Sequence, residues 1–262
     1  MKRKSFYSFI TIVLFSGCLI SCAFSVQNDV ETEAPENAVD VSPTLKQADE
    51  LFRLRTDLSK LRESVNLLAQ VRNPAKRNYE IEWKFAQYNY FLGKQSGDEK
   101  ESEKAFEEGG KAGKIASRTE PNKPEGYFWH GANLGEQARR SPLTKGLTSI
   151  GDIREAMNKV IQIQPDYQGA SAYDALAEIE LATRLTGGDA KKAVDYLEKA
   201  IQIYSNNTYL HLHLAEAYLA VNRQADAKKQ LEFVLKMKPN SEYMLEYEES
   251  QREARKLLER KF

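Results

Sequence analysis

The sequence predicts an all-α protein: a stack of helix pairs, about five of them, closed by one amphipathic helix. Three observations predict it. After Pro43, apolar residues recur at helical spacing, and no segment alternates apolar and polar residues between turn signals as paired strands would. Similar terminators punctuate the chain, at Pro74, Pro121, Pro165, Ser205 and Pro239, in steps of 47, 44, 40 and 34 residues. The last stretch, EYMLEYEESQREARKLLERKF, is charged and amphipathic, the character of a polar end cap on a stack.

The first element is a leader. Lys2, Arg3 and Lys4 precede a mostly apolar run of 15 residues, Phe6 to Ile20. That run is shorter than the roughly 20 residues a membrane span requires, so residues 1–21 are expected to be a secretory signal peptide. Its end, Leu19-Ile20-Ser21-Cys22, resembles the lipobox of bacterial lipoproteins, which makes Cys22 the expected site of lipidation. Both cysteines, Cys18 and Cys22, lie in this segment, so the rest of the chain holds no thiol for a disulfide or a cysteine metal site. Residues 22–42 then read as an acidic, disordered tether with Asp29, Glu31, Glu33, Glu36 and Asp40 and no Lys or Arg. The repeat domain is expected over 43–262.

Within that domain the final unit is the clearest. In TYLHLHLAEAYLAVNRQADAKKQLEFVLKMKPN, Leu214, Ala215 and Tyr218 form one stripe and Ala227, Leu231 and Val234 another, with a polar break at Asn222-Arg223. With Pro239 at position thirty-two, these six residues occupy the small and large positions through which two helices interlock, and the unit resembles a tetratricopeptide repeat. The other units follow the same logic. Ala193, Leu197 and Ala200 mark a second helix that Asp189 caps and Gly187-Gly188 precedes. Ile153, Met157 and Val160 mark another, behind a long insertion expected from Arg139 to Asp152. Trp83, Ala86 and Tyr90 mark a first helix, and Leu51, Phe52, Leu58, Leu61, Val65 and Leu68 keep a stripe through the N-terminal pair.

The stretch NKPEGYFWHGANLGEQARR carries the densest aromatic signal. Placed in the repeat register, Tyr127, Gly131 and Leu134 face the core, and Gly131 and Gly135 offer close contacts. Phe128, Trp129 and Asn133 then face the concave surface beside Tyr88 and Phe91 of the preceding unit, giving a candidate partner- or ligand-binding wall. The order of this stretch, IREAMNKVIQIQPDYQGA, a GGD-containing insertion and KAVDYLEKAI resembles the T component of tripartite ATP-independent periplasmic (TRAP) transporters. That resemblance implies a helical-repeat periplasmic lipoprotein that associates with a substrate-binding protein and has a cavity or pore through its body.

No catalytic or cofactor signature is present. HExxH, GxSxG and GxxxxGK[ST] do not occur, and EEGGKAGK lacks the preceding strand and following Ser or Thr of a phosphate loop. His211 and His213, two apart on one helix, point about 160° from each other and do not share an ion. No metal or cofactor is expected. The chain balances 38 Lys and Arg against 38 Asp and Glu, and loss of the leader leaves 35 against 38, which gives no basic stripe for nucleic acid. The expected function is a non-enzymatic, lipid-anchored scaffold in the bacterial envelope, facing the periplasm and more in keeping with the outer than the inner membrane. Its partner is expected to be a protein, such as a TRAP substrate-binding protein, with homo-oligomers left open. The alternative is a carrier or channel that holds a small apolar ligand in its helical cavity.

Overall fold

The structure is a computed structural model and describes residues 40–239 and 244–262. The expected signal peptide, Cys22 and nearly all of the tether lie outside the described residues. Those described form eleven α-helices: α1 (Ser42–Arg53), α2 (Leu58–Val71), α3 (Tyr79–Gln95), α4 (Glu99–Thr119), α5 (Pro124–Arg140), α6 (Leu147–Ile163), α7 (Tyr167–Ala182), α8 (Ala190–Ile203), α9 (Thr208–Ala220), α10 (Gln224–Lys236) and α11 (Met244–Lys261). They make five hairpins and a final unpaired helix, and no strand occurs among the described residues.

Local chemistry sets the boundaries. The side chains of Asp57, Asn78, Asp98, Asp189 and Asn207 accept hydrogen bonds from first-turn N–H groups of α2, α3, α4, α8 and α9. Each satisfies a donor that the helix itself cannot. Pro124 opens α5, where its missing N–H removes no helical bond. Gly187, at φ 113°, turns the chain between α7 and α8 in a conformation that a side chain would oppose.

Each helix packs on its sequence neighbours, and the odd-numbered helices also touch one another across units, α3 to α5, α5 to α7, α7 to α9 and α9 to α11. The odd helices therefore form the inner layer of a curved solenoid. Two apolar cores run along it. Ala172, Leu176 and Ile179 place one side of α7 in the first, and Ala170, Tyr173 and Ala177 place its other side in the second. In the last hairpin Leu214, Ala215, Tyr218, Ala227, Leu231 and Val234 are all buried, as the repeat register requires.

The expected insertion from Arg139 to Asp152 is shorter than the sequence implied. The chain makes a π-helical turn at Pro142–Gly146, and α6 resumes at Leu147. Ile150 packs against the first core and extends the stripe of Ile153 and Met157 by one turn, which favours helix over loop.

Glycines set the spacing of α3, α4 and α5. A Cβ on Gly93 would lie 2.6 Å from the Phe106 ring, one on Gly113 2.5 Å from the backbone nitrogen of His130, and one on Gly126 2.3 Å from that of Ser117. The glycines of EEGGKAGK are thus interior to α4, where they let α5 approach. Gly131 meets Met157 of α6 as expected, with a Cβ-to-Cε distance of 2.6 Å, but Gly135 faces open space and supplies no second contact.

Two buried carboxylates join units. Glu82 of α3 pairs with Arg72 at 2.7 Å and Arg77 at 2.9 Å, and Glu180 of α7 pairs with Arg154 of α6 at 2.7 Å and Lys192 of α8 at 3.3 Å.

Candidate interaction surface

The inner helices meet through polar side chains, one contact per step. Lys94 Nζ of α3 lies 3.5 Å from Glu136 Oε1 of α5, and Arg139 Nη2 of α5 lies 3.4 Å from Glu178 Oε1 of α7. His213 of α9 faces α7 through both ring nitrogens, Nδ1 at 2.7 Å from Asp174 Oδ1 and Nε2 at 3.9 Å from Glu178 Oε1. The Tyr209 hydroxyl of α9 donates to Glu249 of α11, and Glu249 Oε2 returns to Lys94 Nζ at 3.7 Å. The series α3, α5, α7, α9, α11 and back to α3 is a closed ring of alternating charge.

The ring is open to solvent in part: Arg139 is 57% and Glu249 40% exposed at the side chain, whereas Glu136 and Asp174 are buried. Its walls still perturb the groups in it. Burial opposes charge on His213, but the Asp174 and Glu178 carboxylates outweigh it and push the imidazole up to about 10. The ring of Tyr209 stacks on His213, with centroids 5.5 Å apart and planes within 5°. Burial raises the carboxyl groups of Glu216 and Glu246 above their ordinary range. Burial would raise Glu249 too, but the hydrogen bond from Tyr209 and the charges of Lys94 and Arg139 lower it on balance. At neutral pH the ring thus presents Lys94, Arg139 and protonated His213 among carboxylates. Such a surface suits electrostatic recognition. Among the described residues no three His, Cys, Asp or Glu groups converge as a metal site, and no helix is long and apolar enough to cross a membrane.

The residues singled out in the sequence stand elsewhere. Phe128, Trp129, Asn133 and Tyr88 are buried, whereas Tyr127 and Leu134, assigned to the core, are only partly so. The buried side of α5 is therefore wider than expected: it takes in Phe128, Trp129 and Asn133 beside Gly131, while Tyr127 and Leu134 pack at its edge. The cause is the grip of α4 through Gly113 and Gly126 together with α3. Trp129 packs against Tyr90 and Phe91, with centroids 5.5 and 6.1 Å apart, and Phe128 meets Tyr167 at 5.3 Å. Asn133 Nδ2 donates across to Ala86 O at 3.1 Å. Tyr88 stacks on Phe52 at 3.9 Å, and its hydroxyl donates to Asp49. Phe91 alone stays half-exposed, with the Arg55 guanidinium 5.1 Å from its ring centroid. These side chains hold units together.

Sequence reasoning missed the ring. Its signal is a charged or protonatable residue on each inner helix from α3 onward, Lys94, Arg139, Glu178, His213 and Glu249, recurring at about the step of the repeats. Of the histidines, His211 is a buried structural residue, its Nδ1 2.7 Å from Gln230 Oε1 and its Nε2 2.9 Å from Ser205 O.

Comparison with known proteins follows the two cores. Residues 44–173 match the family model for regulator of microtubule dynamics protein 1-3, and residues 184–245 match a tetratricopeptide repeat model. No curated protein matches the chain. Among solved structures, TTC0263, a thermophilic tetratricopeptide protein of Thermus thermophilus, aligns with a TM-score of 0.55 at 16% identity. The alignment covers 80% of this chain and 98% of that one. MamA MSR-1 aligns with a TM-score of 0.46 at 12% identity over 80% of this chain and 94% of its own. The fold is that of a tetratricopeptide-like solenoid.

Proposed function

We propose that this tetratricopeptide-type protein is a non-enzymatic binding module, held at a membrane by its N-terminus, whose inner ring receives a charged segment of a protein partner. The carrying observation is the ring: five helices, far apart in sequence, converge on alternating charges, of which Arg139, Glu178 and Glu249 reach water. A scaffold of this type offers its inner helices to protein partners. The charged lining favours a polar segment over the apolar ligand of the alternative reading.

Membrane attachment is supported by the leader and by Cys22 at its end. The TRAP substrate-binding protein remains our proposed partner on the resemblance carried by the Asn122 to Arg140 stretch and the helices after it. The match to regulators of microtubule dynamics names no transporter.

The test separates these parts. A photocrosslinker at Gly135, which faces open space one turn before Arg139 on α5, in cells expressing the full chain, should capture a specific partner. Arg139→Glu should reduce that capture at least about tenfold, as loss of an interfacial charge pair does, while costing only about 1 kcal/mol of stability, since the native pair is partly exposed; circular dichroism checks that the variant stays folded. Capture that is indifferent to Arg139→Glu rejects the inner ring as the binding surface. Capture of a protein other than a TRAP binding protein rejects that partner alone. Cys22→Ala should release the protein from the membrane fraction, and a variant that stays attached rejects the lipid anchor.

A further inference from the structure

Short connections between successive helices place the C-terminal ends of the odd-numbered helices on one rim of the ring, and the loops after α1, α5 and α7 emerge there. The three most exposed large apolar side chains among the described residues all sit on these loops: Leu185 at 99%, Leu143 at 87% and Leu54 at 56%. Each is set among cations. Arg53 and Arg55 flank Leu54, Arg184 precedes Leu185, and Leu143 lies between Arg140 and Lys145, with no acid from Arg139 to Gly151. Arg53, Lys145 and Arg184 are exposed. The acids nearest in sequence, Asp57 and Asp189, are turned back as caps on α2 and α8, as is Asp98 on α4 in the connection after α3, while Glu216 of α9 lines a surface recess with Arg184.

A single exposed leucine is ordinary. Three on separate loops of one rim, each beside a cation, form a repeated pattern. Because the loops are spread around a ring, an occupant must meet them over a broad front, which a bilayer surface does without a matching shape. Apolar side chains at the acyl boundary with Lys and Arg at the headgroups are the chemistry of interfacial binding to anionic lipid. We infer that this rim rests on an anionic membrane surface, with Leu143 and Leu185 entering the interface and Lys145 and Arg184 at the headgroup phosphates. The inference stands whether or not Cys22 is acylated.

The test reads orientation. The full chain with Cys18→Ser and Cys22→Ser receives a single cysteine at Leu143, at Leu185 or, on the opposite rim, at Ile203, each carrying an environment-sensitive dye. Vesicles are phosphatidylcholine with and without phosphatidylglycerol, and both contain brominated acyl chains. Circular dichroism confirms that each labelled chain keeps its helices. The dyes at 143 and 185 should shift to the blue and be quenched only when phosphatidylglycerol is present, while the dye at 203 stays in water. Adding Lys145→Glu to the 185-labelled chain and Arg184→Glu to the 143-labelled chain should cut the quenched fraction severalfold, since each cation near such a surface matters about fivefold. Dyes at 143 and 185 that behave like the one at 203 overturn the inference, as would be expected if the rim binds an acidic protein instead. Equal quenching without phosphatidylglycerol overturns it as well.

Discussion

Gly113 shows how one missing atom spaces two helices. Its absent Cβ would stand 2.5 Å from a backbone nitrogen of α5, which cannot swing aside as a side chain end can. Gly113→Ala should therefore lower stability by about 1–3 kcal/mol through overpacking. Gly135→Ala, with nothing within 4 Å of its Cβ, should raise it by up to about 1 kcal/mol from helix propensity. Thermal unfolding of the pair measures both, and equal effects would contradict the seam. Phe128→Ala belongs beside them. Because the ring is buried between Trp129 and Tyr167, its loss should cost about 3–5 kcal/mol. The sequence did not disclose this because Tyr127, Phe128, Trp129 and Leu134 put apolar surface nearly all round α5. A helix that is apolar on every side gives no orientation, and a shift of one residue turns the face by about 100°. Glycines at close contacts were legible as such at Gly131, where a large neighbour lay in the expected register, and not at Gly113, where the motif read only as a failed phosphate loop.

Among the elements, α9 combines the two ways a helix face can be used. Leu214, Ala215 and Tyr218 bury one side in the second core, and this register was legible because small and large residues alternate there in a fixed pattern. Ala227→Leu, across from it on α10, should cost about 1–3 kcal/mol in thermal unfolding, and a neutral result would contradict the interlock. The other side of α9 carries His213 against Asp174 and Glu178 of α7, near Glu216 of its own helix. Its folded pKa is raised, so its stabilising contribution is complete below the ordinary value of 6.5 and is lost as pH rises toward about 10. Glu216, also raised, works in the same direction at lower pH. Urea unfolding should accordingly weaken between pH 6.5 and 10, and His213→Gln should flatten that slope. A slope unchanged in the variant would assign the effect to other groups.

At the scale of the molecule, the ring depends on the total curvature of the four hairpins from α3 to α10, which together bring α11 back to α3. Lys94 and Glu249 are 155 residues apart, and no local pattern announces their meeting. The sequence could supply the number of units and their packing faces, because those follow from short-range periodicity. Closure instead sums the rotation at every junction between units, and each junction depends on a few contacts such as the glycine seams. Lys94→Glu would set a third carboxylate against Glu136 and Glu249, which lie 3.5 and 3.7 Å from the native Lys94 Nζ. It should loosen α11 from α3 by about 1 kcal/mol, because the pair is partly exposed. Amide hydrogen exchange should quicken in the first turns of α11 while that of α6 stays as it was. Uniform quickening along the chain would mean that the substitution unfolds the solenoid and does not open the ring.

The return of α11 to α3 also constrains how such a chain can change length. An open solenoid can gain or lose a hairpin and keep every remaining interface, since each unit touches only its neighbours. Here a hairpin added between α3 and α11 would carry Glu249 past Lys94, and one removed there would leave the two out of reach, so either change breaks a contact far from the edit. Circular closure turns the count of units into a structural parameter, as strand number is in a barrel. A chain of this kind would be expected to diversify through its loops, above all at the 141–146 and 183–189 connections, where added residues leave the circumference unaltered.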